Sequence, residues 1–197
     1  MGCPPSFLSV VDGVRSIPQQ PVAVVTRQPA DFHERQRAAQ CGMHALHNLL
    51  RNDTITKETI DKIADKCAKE SGDRVGNHKH ASGLWSIDTL IRALQEYGYD
   101  VLRAVKTMRG EDKKTLFLWN AGDTMYQLLE EPTVVGFLIH EKFHYTALRK
   151  NQLGTGWEYS NSFDNVARDI SPFDFCKKAL DGTWNIFLVT VRERVSL

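Results

Sequence analysis

The stretch FHERQRAAQCGMHALHNLLR, residues 32–51, decides how this chain is read. From Gln40 onward the apolar residues Ala45, Leu46, Leu49 and Leu50 recur on one helical face, and Asn52 with Asp53 ends the run. Cys41 therefore stands in the first turn, where unpaired backbone amides and the helix dipole favour a thiolate. Its small neighbours Ala38, Ala39 and Gly42 leave room for a substrate backbone to approach. A cysteine so placed is either inert core or a nucleophile, and its partners decide which.

Two later segments supply partners. FHYTALRK, residues 143–150, reads as a strand in which Phe143, Tyr145 and Ala147 face one way and His144, Thr146 and Leu148 the other. A histidine fixed on a strand suits a general base. WEYSNS follows at residues 157–162, and Asn161 reaches the imidazole if the two strands pair as a hairpin. Asp164 competes for that place. Gln36, five residues before Cys41, is positioned for its amide to turn back over the sulfur and donate to an oxyanion beside the Cys41 N–H.

The rest of the chain narrows the class. At 197 residues and 42% hydrophobic content it suits one globular domain. Lys and Arg number 25 against 24 Asp and Glu, a net charge of +1 that gives no electrostatic reason to expect a nucleic-acid partner. No run is long enough for a membrane span. The four cysteines, Cys3, Cys41, Cys67 and Cys176, are widely spaced without a CxxC pair, so free thiols in a reducing compartment are expected and neither metal nor cofactor is. His78, Lys79 and His80 read as a solvated loop.

Residues 1–30 carry Pro4, Pro5, Pro18, Pro21 and Pro29 and little periodicity, the mark of a tail or extended arm ahead of a catalytic unit over 31–197. The opening MGCPPS matches the acceptor pattern for N-myristoylation at Gly2, with Cys3 as a palmitoyl site. Two lipids would hold a cytoplasmic protein at a membrane; one gives only marginal binding.

A second helix is capped by Thr54 or Thr56 and runs to about Glu70, with Ile60, Ile63, Ala64 and Cys67 on its apolar side. Residues 71–83 break the pattern before a third helix over 85–97, closed by Gly98. Strand-like runs follow at YDVLRAV, TLFLW, TVVGFLI, FHYTALR, GWEYS and NIFLVTV, with short helices over 123–130 and 172–180. Helices first and strands later predict an α+β domain, with helices packed on a mostly antiparallel sheet.

Taken together, FHERQRAAQCGMHALHNLL, HKHASGLWSIDTLIRALQEYGYDV, VVGFLIHEKFHYTALRK, WEYSNS and NIFLVTV resemble the Josephin family of deubiquitinating cysteine proteases, in particular its small members. The resemblance covers about residues 31–192. It implies a papain-like fold, with Cys41 as nucleophile, His144 as general base, Asn161 as the residue that orients it and Gln36 as oxyanion donor. It also implies a monomer that takes ubiquitin as partner, with Ile87, Asp88 and Tyr97 where the family contacts it, and a helical arm over 57–83 that gates the cleft. The chain departs from the family's pattern at Tyr145, where Trp is usual, at His47, where the motif has Asn, and at Asp88, where a neutral residue is typical.

The expected activity is hydrolysis of the bond after ubiquitin's last glycine through an acyl-enzyme on Cys41. Two alternatives stand beside it: a ubiquitin-binding module with little catalysis, and a papain-like hydrolase of a ubiquitin-like protein.

Overall fold

The computed structural model describes residues 32–80, 84–103, 105–109, 114–119, 123–151, 153–181 and 185–192. The expected arm over 1–30, with Gly2 and Cys3, lies outside the described residues. Chain order gives helices α1 (Cys41–Leu50), α2 (Lys57–Ser71), α3 (Val75–His78) and α4 (Ile87–Glu96), then strands β1 (Tyr99–Arg103), β2 (Val105–Arg109), β3 (Lys114–Trp119) and β4 (Asp123–Thr124). Helix α5 (Met125–Glu130), strands β5 (Val134–Glu141), β6 (His144–Lys150), β7 (Trp157–Ser160) and β8 (Arg168–Ile170), helix α6 (Pro172–Asp181) and strand β9 (Asn185–Val191) complete it.

Six strands form one antiparallel sheet in the order β1-β9-β5-β6-β7-β8, and β2, β3 and β4 form a small second sheet. The fold is α+β, as the order of the patterns predicts. Both faces of the large sheet are covered. On one, Leu138, Tyr145, Ala147, Phe187 and Val189 pack against Leu46 and Leu49 of α1, Ile60 and Ile63 of α2 and Leu90 and Leu94 of α4. On the other, Phe137, Ile139, Leu148, Trp157, Ile186 and Leu188 meet Leu128 and Leu129 of α5 and Phe175 of α6. This explains why β5 and β9 read as unbroken apolar runs: a strand buried on both faces shows no polar alternation.

The local signals hold in detail. Of the two candidate caps for α2, Thr56 takes the role, its hydroxyl accepting from Thr59 N–H at 3.3 Å. Gly98 adopts φ 88°, the left-handed conformation expected where α4 stops. Helix α4 begins at Ile87 because Ser86 caps it, and Trp85 before it bridges back to Lys79.

Other boundaries move. The run YDVLRAV divides: residues to Arg103 pair with β9, whereas Val105 onward pairs with β3 in the other sheet. The helix expected over 123–130 begins at Met125, since Asp123 and Thr124 pair with β3. Helix α3 and strand β8, four and three residues long, carry no periodic signal.

Candidate active site

Cys41 is the first residue of α1 and only 2% exposed. The chain reaches it through a turn in which Ala38, a residue with a Cβ, takes φ 54°; across the cleft, the turn from β5 to β6 places Lys142 at φ 56°. Both are strained positions for L-residues, and strain of this kind concentrates where a side chain must be aimed. The Cys41 Sγ lies 3.8 Å from the Phe143 carbonyl, to which the thiol donates weakly.

Burial pushes the Cys41 thiol up, and the backbone N–H groups of Tyr145, Gly42 and Cys41 pull it down by less. The helix terminus thus acts in the expected direction without prevailing. The small residue Gly42 serves packing: a Cβ there would stand 2.9 Å from Leu90 Cδ1 and 3.5 Å from Tyr145 Cδ2. Its smallness lets α1 close on Leu90 of α4.

His144 opens β6, and its Nε2 lies 2.9 Å from Asn161 Oδ1. The same Oδ1 accepts the Phe163 N–H at 3.0 Å. A backbone N–H can only donate, so the side-chain atom is the oxygen and His144 Nε2 carries a proton toward it. In the neutral ring the lone pair is therefore on Nδ1. Asp164, the competitor for this place, is engaged elsewhere: its carboxylate pairs with Arg168 at 3.1 Å and its carbonyl accepts from His33 Nε2 at 3.1 Å.

Gln36 is tied to the same loop. Its N–H donates to Ser162 O at 2.8 Å, its Oε1 accepts from Ser162 Oγ at 3.2 Å, and its Nε2 donates to Ala38 O at 2.7 Å. One amide hydrogen thus braces the Ala38 turn and the second is left to donate. Gln36, Cys41 and His144 line one open cleft of about 420 Å³, with Ala39, Leu84, Glu141, Lys142, Phe143 and Phe163. Ser162, buried at 2%, and Phe163, whose ring stacks on His144, were not singled out from sequence. Neither lies in a periodic pattern; only their nearness to Asn161 hinted at them.

The leader ahead of Cys41 is clamped to α1. Asn48 pairs with both backbone groups of Glu34, accepting its N–H at 2.6 Å and donating to its carbonyl at 3.0 Å. Arg149, buried at 2%, donates to the carbonyls of Phe32 and Asn48 and to Glu158 Oε2 at 3.0 Å. Desolvation brings its guanidinium down to about 10 against the opposing pull of Glu158.

The two helix histidines face the leader. His44 Nε2 accepts from Arg37 N–H at 3.1 Å, so its Nδ1 holds the proton, 3.2 Å from Glu34 Oε1. His47 donates from Nε2 to Ile55 O at 2.8 Å and sets Nδ1 against Glu34 Oε2. Burial pushes the Glu34 carboxyl up, but the hydrogen bond and charge of His47, with the His44 N–H close by, outweigh it and hold the carboxyl below the usual carboxylate range. Glu34, His44 and His47 are the cluster among the described residues that could hold a cation. The Arg37 bond argues against it, because a metal on His44 Nδ1 would force a second donor against Arg37 N–H.

The expected partner-contact residues lie apart from the cleft lining. Ile87 and Tyr97 are half-buried against the helical core, with Tyr97 Oη donating to Thr54 O at 3.1 Å; Asp88 is exposed on the first turn of α4. The expected gate over 57–83 is half core: α2 buries Ile60, Ile63 and Ala64, and Asp61 ties it to Lys79 at 2.8 Å and Trp85 at 3.0 Å. Tyr145, where the resemblance leads one to expect Trp, donates from its hydroxyl to Trp85 O at 3.3 Å and stacks on His140 at 4.4 Å.

A sequence model of the Josephin family matches residues 36–190. Josephin-2 of Homo sapiens and of Mus musculus are each 33% identical over 72 residues, 36% of this chain and 37% of theirs. An ataxin-3 homolog of Caenorhabditis briggsae is 26% identical over 143 residues, 68% of this chain and 40% of that protein. The chain thus spans about two-fifths of the length of these curated relatives. With the family model covering most of the chain and every strand flanking the cleft, this protein belongs to the Josephin family.

Proposed function

We propose that the chain is a ubiquitin-directed thiol hydrolase that cleaves the bond after ubiquitin's C-terminal glycine. The observation that carries this reading is the hydrogen bond to Asn161 from His144, which lines the same cleft as Cys41, because it leaves the imidazole lone pair on Nδ1. In this reading His144 takes the Cys41 proton as the sulfur attacks the glycine carbonyl, so the raised thiol ionises only as it reacts. The developing oxyanion takes the Cys41 N–H and the second hydrogen of Gln36 Nε2. His144 then protonates the leaving amine or alcohol, and water, deprotonated by the same ring, releases the acyl group from sulfur.

The open cleft and the small residue Ala39 among its lining suit a flexible tail without side chains, as ubiquitin's last two glycines are. Exposed Asp88, at the start of α4 and close in sequence to Leu84 of the cleft wall, is the member of the trio Ile87, Asp88 and Tyr97 with most side chain to offer ubiquitin. The test is incubation with ubiquitin carrying a C-terminal electrophile. A covalent adduct that vanishes in Cys41→Ala supports the proposal. Binding without an adduct turns the reading to a ubiquitin-binding module, and no engagement turns it to another ubiquitin-like substrate. A second measurement addresses the N-terminus: loss of membrane association in Gly2→Ala would support acylation there, and unchanged association would exclude it.

A further inference from the structure

Phe163 is a large apolar residue left 61% exposed, and its ring lies on the imidazole of His144 with centroids 4.4 Å apart and planes 15° from parallel. Its own N–H donates to the Asn161 oxygen that receives His144 Nε2. One residue therefore braces both partners of that bond, the amide through its backbone and the imidazole through its ring. We infer that Phe163 is a positioning residue that fixes the plane of His144 and shields the His144–Asn161 hydrogen bond from water. The inference rests on the proposed thiol chemistry for its catalytic consequence, but not for its structural content.

The physical case has three parts. A stacked ring removes rotational freedom about χ2 of the histidine, which the single bond at Nε2 leaves open. It also covers one side of a part-buried hydrogen bond, and a hydrogen bond in a less polar surrounding is stronger. Finally, the ring itself is held in place. The turn is closed by Asp164 N–H donating to Asn161 O at 2.9 Å, and His33 and Arg168 fasten Asp164 from either side. A ring resting on a mobile loop could not position anything; this one is carried by a turn pinned at both ends.

The experiment joins turnover to a tautomer measurement on the full chain, using 15N-histidine NMR with ubiquitin bearing a C-terminal fluorogenic amide as substrate. Wild type is expected to hold His144 as the Nε2–H tautomer with a slowly exchanging proton. Phe163→Ala should average the two tautomers, speed that proton's exchange at least about tenfold and lower kcat about ten- to hundredfold with KM within about twofold. Phe163→Trp should restore both readouts. Retention of the Nε2–H tautomer and of kcat in Phe163→Ala overturns the inference, as does a rise in KM with kcat unchanged, which would make the ring a substrate contact. If wild type does not turn the substrate over, the proposed function fails, and the tautomer and exchange measurements still decide the role of Phe163.

Discussion

Asn161 Oδ1 sits 2.9 Å from His144 Nε2, across the seam between the end of β7 and the start of β6. The antiparallel ladder pairs Ala147 with Ser160, so Asn161, the next residue, is carried toward the start of β6, where His144 stands. Because this bond selects the tautomer with its lone pair on Nδ1, Asn161→Ala should lower kcat by roughly ten- to hundredfold, about 1.4 to 2.7 kcal/mol of barrier. Asp164→Ala should stay within about threefold of wild type, since the Asp164 carboxylate serves Arg168 and its backbone bonds to Asn161 and His33, which hold the turn, remain. Steady-state kinetics of both variants decide between the residues; the reverse ranking would assign the role to Asp164.

The raised Cys41 thiol has a consequence for pH. With the thiol favoured in the folded protein, thiolate is scarce at neutral pH and grows as pH rises past the ordinary thiol range. His144→Ala should therefore be inactive at neutral pH, and its Cys41 should react with a haloacetamide only as the solution becomes alkaline. Labelling at Cys41 is read by peptide mass spectrometry, which separates it from Cys176, whose thiol burial raises to about 11. Rapid neutral labelling in that variant would mean that the helix terminus alone suffices to ionise Cys41.

Gln36→Ala should reduce kcat by about two to three orders of magnitude, as for the loss of one oxyanion donor. Ser162→Ala, which removes the hydroxyl held against Gln36 Oε1 but leaves the amide in place, should cost far less, about two- to tenfold. Equal losses in the two variants, measured on the same fluorogenic substrate, would mean that Gln36 acts by bracing its loop.

How much of this could be read from the chain alone depends on where each signal lies. Cys41 and His144 sit in patterned segments and Gln36 and Asn161 lie just outside such segments, at spacings that can be checked locally; the cleft draws Cys41, His144 and Gln36 together. Arg149 was not legible. An arginine in a strand normally faces water, yet alternation from Ala147 puts it inward, and it stays there because Glu158, Asn48 and Phe32 satisfy its donors from three separate segments. His47 likewise looked like a mere departure from a motif until the leader folded back and set Glu34 beside it. Such residues depend on partners 9 to 117 positions away, which no local pattern encodes.

Glu34 links the leader to acid stability. Its carboxyl titrates lower folded than unfolded, where 4.5 is its ordinary value, so the stabilisation it brings is fully present above pH 4.5 and is lost as pH falls through the folded value. Glu34→Gln should remove that dependence, flattening the loss of stability below pH 4.5 while lowering stability at neutral pH. Denaturant melts from pH 7 to pH 3 measure both. An acid limb unchanged in Glu34→Gln would mean that other carboxylates control it.

Two glycines make a final contrast, because each is crowded by a different kind of neighbour. At Gly136, where the β5–β9 register shifts, a Cβ would collide with the Leu148 carbonyl of the neighbouring strand and stand 2.7 Å from Leu49 Cδ1. The Leu49 tip can swing aside, but the ladder cannot yield without breaking hydrogen bonds, so Gly136→Ala should destabilise by about 3 kcal/mol or fail to fold. At Gly42 the intruded atoms are the two methyl tips of the Leu90 side chain, which a rotamer change can clear. Gly42→Ala should therefore cost only about 1 kcal/mol in stability. Its larger effect should fall on turnover, because Gly42 adjoins Cys41 in the first turn of α1 and its N–H donates to the Cys41 sulfur. Urea melts and kcat measured on both variants check this: equal destabilisation would show that the helix contact is as rigid as the sheet.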